Sequence, residues 1–313
     1  MTGQARVVVT GGAGFVGVHS VEALLADGCA VLVIDNLSHP SDRALPGSCD
    51  VVVRDVREAD ARAALIAFSP TAVLHLAAQG GVNRSWRDPA ADARINVQGT
   101  VSVLDAAREG ACPRVVMASS GGALYGAAEE LPSDEDTRAQ PRSPYGTAKW
   151  AVEQYLGYFA RAGAFATLAL RYGNVYGPGQ DGTGEAGVVA ITSVRLVNGE
   201  APIVRGSGEQ TRDFVYVGDV VRANVAAVHG AATGAVNIGT GRETSVNRVV
   251  ETLCAAAGFQ GAPDHVDMPP GEVSRSCLDV SRAGTLLGWA PGVDVEKGLF
   301  DTYAHFAQKA SAR

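Results

Sequence analysis

Through the first half of the chain, short runs of consecutive apolar residues alternate with longer stretches whose apolar positions recur every three or four residues. The runs are RVVVT (6–10), AVLVID (30–35), DVVVRD (50–55), AVLHLA (72–77), RVVMAS (114–119) and ATLALRY (166–172). Runs this short, valine-rich and apolar at successive positions predict strands covered on both faces. The intervening stretches 15–26, 58–68, 92–109 and 144–162 predict helices. Regular βα alternation implies parallel order. The expected fold is therefore α/β, a doubly wound parallel sheet of the Rossmann-like kind.

After about residue 173 the pattern loosens. Glycine and proline rise in NVYGPGQDGTGEAGVV, and the helix and strand signals become short and mixed. A first domain over 1–173 and a smaller C-terminal α/β domain over 174–313 are expected. The stretch 214–240 predicts a further helix and strand that return to the first sheet, so the two parts interweave.

The first strand runs into VVVTGGAGFVG, where Gly11, Gly14 and Gly17 stand at GxxGxxG spacing. Alone, this is a weak signal, and a plain turn would serve. Here the loop follows a strand, precedes an amphipathic helix closed by Gly28, and is followed by a second strand ending in Asp35. That context predicts a dinucleotide site, with the pyrophosphate at a helix N-terminus and Asp35 accepting hydrogen bonds from the adenosine ribose. A carboxylate there would repel a 2′-phosphate, which favours NAD over NADP. Asp55, at the end of the third strand, is expected either at the adenine or as a helix cap.

Composition narrows the partners. The 313 residues carry a formal net charge of −7, with 46% hydrophobic and 19% charged positions, which argues against nucleic acid or a membrane surface as partner. No run approaches 18 apolar residues and no leader pattern opens the chain, so a soluble cytoplasmic protein is expected. The five cysteines form no CxxC pair and the six histidines show no metal-ligand spacing, so reduced thiols and no metal are expected. His75, on the fourth strand, is expected in the core, and Trp86, Trp150 and Trp289 are expected to pack.

In SPYGTAKW (143–150), Ser143 and Pro144 read as N-cap and first helical residue, and Tyr145 and Lys149 share a face one turn apart. A free phenol, with a pKa of about 10, is a poor base at neutral pH. A neighbouring lysine, a helix N-terminus and a positive nicotinamide ring would each favour the phenolate. The pair is thus expected to be an acidified phenol with its charge partner.

TGGAGFVG (10–17), HLAAQ (75–79), NVQGT (96–100), SSGGALYG (119–126), SPYGTAK (143–149), LRYGNVYGPGQD (170–181), RDFVYVGDVVRA (212–223), NIGTG (237–241) and LGWAP (287–291) follow one another along nearly the whole chain. Together they resemble the extended short-chain dehydrogenase/reductase family, in particular its nucleotide-sugar epimerases and dehydratases. The segment GEAGVVAI (184–191) is similar to that of bacterial galactose epimerases.

The resemblance implies a Ser–Tyr–Lys triad of Ser120, Tyr145 and Lys149, with Ser119 as the alternative serine. It implies NAD contacts at Gly11, Gly14, Phe15, Val16 and Gly17, at Asp35, Asn36, Asp55 and Val56, at Leu76, Ala77, Ala78 and Gln79, and at Asn96, Tyr145, Lys149 and Tyr172. For a nucleotide-sugar substrate it implies Ser120, Tyr145, Asn174, Val189, Arg212 and Arg275. The family's usual sequence at Gly271-Glu272 differs, which leaves the phosphate contacts there open.

Oxidation at the sugar C4 is the implied first step. Dehydratases and decarboxylases of the family carry acids at the places of Gly122 and Ala123. Neither residue can transfer a proton, so 4-epimerisation of UDP-glucose and UDP-galactose is expected before elimination. Arg84, beside Asn83, keeps UDP-glucuronate as an alternative, and a 4,6-dehydratase is a further one. The resemblance also implies a homodimer paired through the helices of 92–109 and 144–162.

Overall fold

The computed structural model describes residues 4–128, 130–182, 187–268 and 273–311. Gly271-Glu272 and the first three residues of GEAGVVAI lie outside them. In chain order, β1 (Arg6–Thr10), α1 (Phe15–Ala26), β2 (Ala30–Asp35), β3 (Asp50–Val53), α2 (Ala59–Phe68) and β4 (Ala72–His75) lead into α3 (Val82–Arg87), α4 (Pro89–Ala93) and α5 (Gly99–Glu109). Next come β5 (Arg114–Ser120), α6 (Gly121–Leu124), α7 (Pro144–Arg161), β6 (Ala166–Tyr172), β7 (Asn174–Tyr176), α8 (Val188–Val197), β8 (Ile203–Arg205), β9 (Thr211–Arg212) and β10 (Phe214–Tyr216). The chain closes with α9 (Val217–His229), β11 (Gly234–Ile238), β12 (Thr244–Ser245), α10 (Val246–Ala257), β13 (Asp264–Val266), α11 (Ser281–Leu287) and α12 (Val295–Ser311).

Seven strands form one parallel sheet in the order β11-β6-β5-β4-β1-β2-β3. The strand within 214–240 extends it by pairing Gly234–Ile238 with Leu168–Tyr172. The apolar runs are continuous because each face has its own cover. Val7, Val9, Val31, Val33, Leu168 and Leu170 pack against α1 and α9 residues such as Val21, Leu24, Val220 and Ala227. Val8, Leu32, Ile34, Val115 and Met117 pack on the other face against Leu65, Leu104, Val152 and Leu156. Each such side chain, withdrawn from water, contributes about 1.5–3 kcal/mol.

From β1 the chain winds one way through β2 and β3, then returns to β4 on the other side and continues to β5 and β6. The switch point is thus between β1 and β4, the place where doubly wound sheets take ligands beyond the carboxyl ends of their strands. A further cluster, with Tyr176, Val189, Leu196, Phe214, Leu253 and Leu299, packs where α8, α10 and α12 meet.

Two elements differ from the sequence pattern. The helix expected at 92–109 starts earlier, because Asp88 caps Ala91 N at 2.8 Å and Pro89 takes the first turn. It is also interrupted by a π-helical turn over Arg94–Gln98, which leads directly into α5. Third-strand pairing stops at Val53, two residues before Asp55. No helix among the described residues is long and apolar enough to cross a membrane.

Candidate active site

The glycine loop closes the switch point from the β1 side. Gly11 has φ +70, and a Cβ there would lie 2.6 Å from Ala77 N. A Cβ on Gly17 would lie 2.1 Å from Gly11 O. These two positions let the loop, α1 and the segment after β4 approach closely. Gly14 differs: only Gly11 O, at 3.3 Å, stands near its missing side chain. It is the N-cap of α1 with no capping side chain, so the first-turn N–H groups of Phe15, Val16 and Gly17 lack intrahelical partners. An uncapped helix start behind bare backbone is a cradle for a diphosphate.

Asp35, at the end of β2, accepts from Ala13 N at 3.0 Å and Leu37 N at 2.8 Å. It therefore fixes the glycine loop against the end of β2. Asn36 donates to Asp55 Oδ2 at 3.2 Å. Asp55 itself is held in a two-pronged pair with Arg57, both contacts 2.7 Å. That pairing holds its carboxyl down at about 2. Val56 packs beside Gly99.

Opposite the loop, Leu76 N donates to Thr10 O at 3.0 Å, and Ala77 and Ala78 follow. Gln79 is locked by Asn96: Gln79 N donates to Asn96 Oδ1 at 2.8 Å, and Asn96 Nδ2 donates to Gln79 O at 3.0 Å. The π-helical turn carries Asn96 into this position, as such turns often do at functional sites. Asp92, not foreseen from the sequence, is buried beneath this lock and accepts from Gln79 Nε2 at 2.8 Å and Asn96 Nδ2 at 2.9 Å. Its spacing of four from Asn96 was the available signal. The start of α1 and these segments thus lie together at the switch point, where the exposed backbone donors suit a dinucleotide.

At the carboxyl end of β5, Ser120, Tyr145 and Lys149 come together. Ser143 caps α7 through Gly146 N at 3.0 Å, with Pro144 in the first turn. Of the two candidate serines, Ser120 is the one whose hydroxyl acts on the Tyr145 phenol and draws its pKa down. Ser119 faces the opposite way and donates to Glu153 Oε1 at 2.5 Å. Lys149 is buried, donates from Nζ to Ala118 O at 2.8 Å, and lies 5.8 Å from the centre of the Tyr145 ring.

The electrostatics differ from the sequence expectation. Burial pushes the Tyr145 phenol up to about 12; the Ser120 hydrogen bond draws it down, and the Asp92 carboxylate adds to the rise. Burial also lowers Lys149 to about 8, while Asp92 and Glu153 raise it. Desolvation outweighs the lysine's attraction, because Lys149 directs its hydrogen bond to Ala118 O rather than to the phenol. With the protein's own groups alone, Tyr145 is a neutral acid.

Behind the triad lies a buried ion pair that the sequence did not reveal. Glu153, one turn after Lys149, accepts from Arg171 Nη2 at 2.7 Å and from Nε at 3.1 and 3.2 Å. Arg171 also donates to Tyr125 OH and to Glu135 O, each at 2.9 Å, and Tyr125 OH donates to Asn237 Oδ1 at 2.7 Å. The chain of contacts ties α7 to β6 and β11. His75, as expected, sits in the core, with Thr10 Oγ1 at 2.7 Å and Thr100 Oγ1 at 2.9 Å from its two nitrogens.

The substrate-side residues are more dispersed. Asn174 is exposed at the start of β7, and its Oδ1 would lie 3.4 Å from a Cβ on Gly122. Arg212 on β9 donates to Thr211 O at 2.8 Å. Thr211 N donates to Ser274 O at 2.9 Å and Ser276 N to Thr211 O at 3.2 Å, which brings Arg275 alongside. Arg275 is engaged by Glu243, with Nε 2.8 Å from Oε2. Asp213, buried next to Arg212, anchors the NIGTG segment by accepting from Thr240 N at 2.6 Å and Gly241 N at 3.1 Å.

Some expected side chains are turned elsewhere. Tyr172 is in the core and donates to Asn224 Oδ1 at 2.5 Å, so only its backbone stands at the carboxyl end of β6. Val189 is 1% exposed and belongs to the cluster with Tyr176, Phe214 and Leu253. Of the three tryptophans, only Trp289 packs as expected, its Nε1 donating to Asp219 O at 2.8 Å. Trp86 and Trp150 are exposed, because α3 and the outer face of α7 present them away from both cores.

The model for the NAD dependent epimerase/dehydratase family matches residues 7–239. A UDP-glucose 4-epimerase of Mycolicibacterium smegmatis is 42% identical over 314 residues, covering 97% of this chain and 99% of that one. The crystal structure of a Thermotoga maritima UDP-glucose 4-epimerase with UDP-glucose is 40% identical, with a TM-score of 0.94 over 97% of this chain and 99% of that one. A Thermus thermophilus UDP-glucose 4-epimerase in complex with NAD is 39% identical, with a TM-score of 0.90 over 96% and 98%. A glycine cradle at the switch point, a serine–tyrosine–lysine cluster at its rim and a match over most of the chain lead to one conclusion: the chain belongs to the NAD dependent epimerase/dehydratase family.

Proposed function

We propose that the protein is an NAD-dependent isomerase that interconverts UDP-glucose and UDP-galactose by inverting C4 through a 4-keto sugar. The observation that carries this reading is the cluster of Ser120, Tyr145 and Lys149 at the rim of the dinucleotide crevice, with no titratable side chain at Gly122 or Ala123. Relatives named UDP-glucose 4-epimerase along the full chain support it.

Tyr145 takes the proton from the sugar O4 and later returns it, and Ser120 holds that oxygen through its hydroxyl. Bound NAD supplies the acceptor and donor of the C4 hydride, together with the positive charge that the phenol needs to ionise. Lys149, fixed to Ala118 O, anchors the rim and would hold the nicotinamide ribose of bound NAD. Gly11, Gly14, Phe15, Val16 and Gly17 hold the pyrophosphate, Asp35 and Asn36 the ribose, and Gln79 and Asn96 the nicotinamide side. Asn174, Arg212 and Arg275 serve the nucleoside diphosphate, within a substrate domain over 174–313.

Elimination needs an acid at Gly122 or Ala123. A side chain at Gly121 would meet Leu278 Cδ2 at 2.6 Å, and one at Gly122 would face Asn174. Arg84, the guanidinium that would suit a uronate, is exposed on α3 with His39 Nε2 at 3.5 Å, so the neutral hexose is preferred. Trp150, Tyr155 and Tyr158, exposed along α7, support pairing of two copies through this helix. Five free thiols support a reducing, cytoplasmic setting.

Purified protein incubated with UDP-glucose, UDP-galactose or UDP-glucuronate, with products resolved by NMR, tests the proposal. Interconversion of the two neutral hexoses is expected. An unchanged neutral pair, or a 4-keto-6-deoxy product, overturns it.

A further inference from the structure

The five cysteines and six histidines show no ligand spacing along the chain, yet the fold gathers three metal-binding side chains at the amino edge of the sheet. Asp27 is the C-cap of α1, and Cys29 follows the αL glycine that turns the chain into β2. His229 is the last residue of α9, which packs against α1 from 200 positions further on. Asp27 Oδ2 lies 2.8 Å from His229 Nε2, and Cys29 Sγ lies 3.8 Å from the same nitrogen. One donor atom from each residue falls within 4.8 Å of the other two. Around a tetrahedral zinc ion such donors stand about 3.3–3.6 Å apart, so small side-chain adjustments would bring all three onto one ion.

We propose that Asp27, Cys29 and His229 form a site for a borderline-soft dication of the Zn²⁺ class, with water as fourth ligand. Thiolate, imidazole and carboxylate together select zinc over magnesium or calcium, which take oxygen ligands alone. The thiol lies on the inner side, 4% exposed, while Asp27 and His229 are open to solvent and leave the ion a path of entry. Two helices, α1 and α9, end here, and the carbonyl ends of both favour a cation. Burial and the Asp27 carboxylate push the Cys29 thiol up. A dication reverses that preference: it binds the sulfur as thiolate, the thiol proton goes to solvent, and the imidazole proton moves to Nδ1.

The site is remote from the reaction. Cys29 precedes β2 and the triad follows the carboxyl ends, so the six-residue strand puts about 20 Å between them. Its role is to staple the β1–α1–β2 turn to α9, which leads into the edge strand β11. This is a structural ion for the fold, separate from the NAD chemistry.

Full-length protein stripped by a chelator and titrated with Co²⁺ tests the assignment. One equivalent is expected to bind with a thiolate-to-cobalt charge-transfer band, to be displaced by Zn²⁺, and to raise the thermal midpoint. Cys29→Ser should remove the band. Because Cys29 is buried, the solvent-facing variants His229→Gln and Asp27→Asn carry the test if that protein fails to fold; each should bind cobalt at least about 10-fold more weakly with unchanged sugar turnover. A wild-type protein without the band at one equivalent, or His229→Gln and Asp27→Asn proteins that bind as tightly as wild type, would overturn the proposal.

Discussion

Glu153→Gln separates the charge of the buried pair from its shape. In the wild type the carboxylate accepts three contacts from Arg171 and one from Ser119, and the two charged side chains are only 7% and 11% exposed. An amide keeps the volume but turns one oxygen into a donor that faces the guanidinium. Arg171 then keeps its charge with only neutral acceptors, Tyr125 OH, Glu135 O and the amide oxygen. Leaving one partner of a buried pair uncompensated costs about 3–5 kcal/mol. At about 2.1 cal/mol/K of unfolding entropy per residue, 313 residues give about 1.5 °C per kcal/mol, so the thermal midpoint should fall by about 5–8 °C. The second consequence reaches the site. Glu153 is one of the two carboxylates that raise Lys149 against burial, so its loss should move the lysine below its value of about 8. The pH profile of turnover should then shift to lower pH on the limb that reports Lys149. Calorimetry and turnover measured from pH 6 to 10 on the NAD-loaded protein check both. A midpoint within 2 °C of wild type, with an unmoved profile, would refute the assigned roles of this pair.

Three further outcomes follow from the same geometry. Tyr145→Phe should lower epimerisation by at least about 10²-fold with NAD still bound, measured by NMR of the sugar pair and absorbance of the released cofactor; turnover near wild type would remove the phenol as proton carrier. Gly11→Ala should lose NAD and stability together, since its φ of +70 and the Ala77 backbone 2.6 Å away leave no room for a methyl group; a variant that retains cofactor at wild-type affinity contradicts the packing argument. Burial holds His75 down at about 3, so between there and about 6.5 the unfolded chain binds the extra proton and stability rises with pH. Going from pH 7 to pH 5 should cost about 2 kcal/mol through this residue, and His75→Gln should flatten that part of a urea-unfolding series; an unchanged slope excludes it.

Legibility followed distance along the chain. The sheet was readable because Val7 and Val9 serve one core and Val8 the other, so burial on both faces writes itself into a local run of valines. The glycine loop and the capped start of α7 were readable for the same reason: each is a contract among residues within one turn or two. The electrostatics of Tyr145 were not, since the deciding term is burial by groups far away in sequence, and helical spacing reports only which neighbours are near. Glu153 and Arg171 left partial traces, the first as a repeat of the Lys149 face one turn on, the second as a lone charge in ATLALRY. Neither trace names its partner. Asp27, Cys29 and His229 left none, because α1 and α9 must first pack before the ligands meet. The chemistry of this chain therefore sits in short motifs, while the supports that set its pKa values and stability rest on pairs that only the folded chain joins. Exchanging charge between Glu153 and Arg171 in a double variant is the direct measure of that separation: a coupling energy above 0.5 kcal/mol would mark the pair as one unit, and additivity would mark it as two independent core residues.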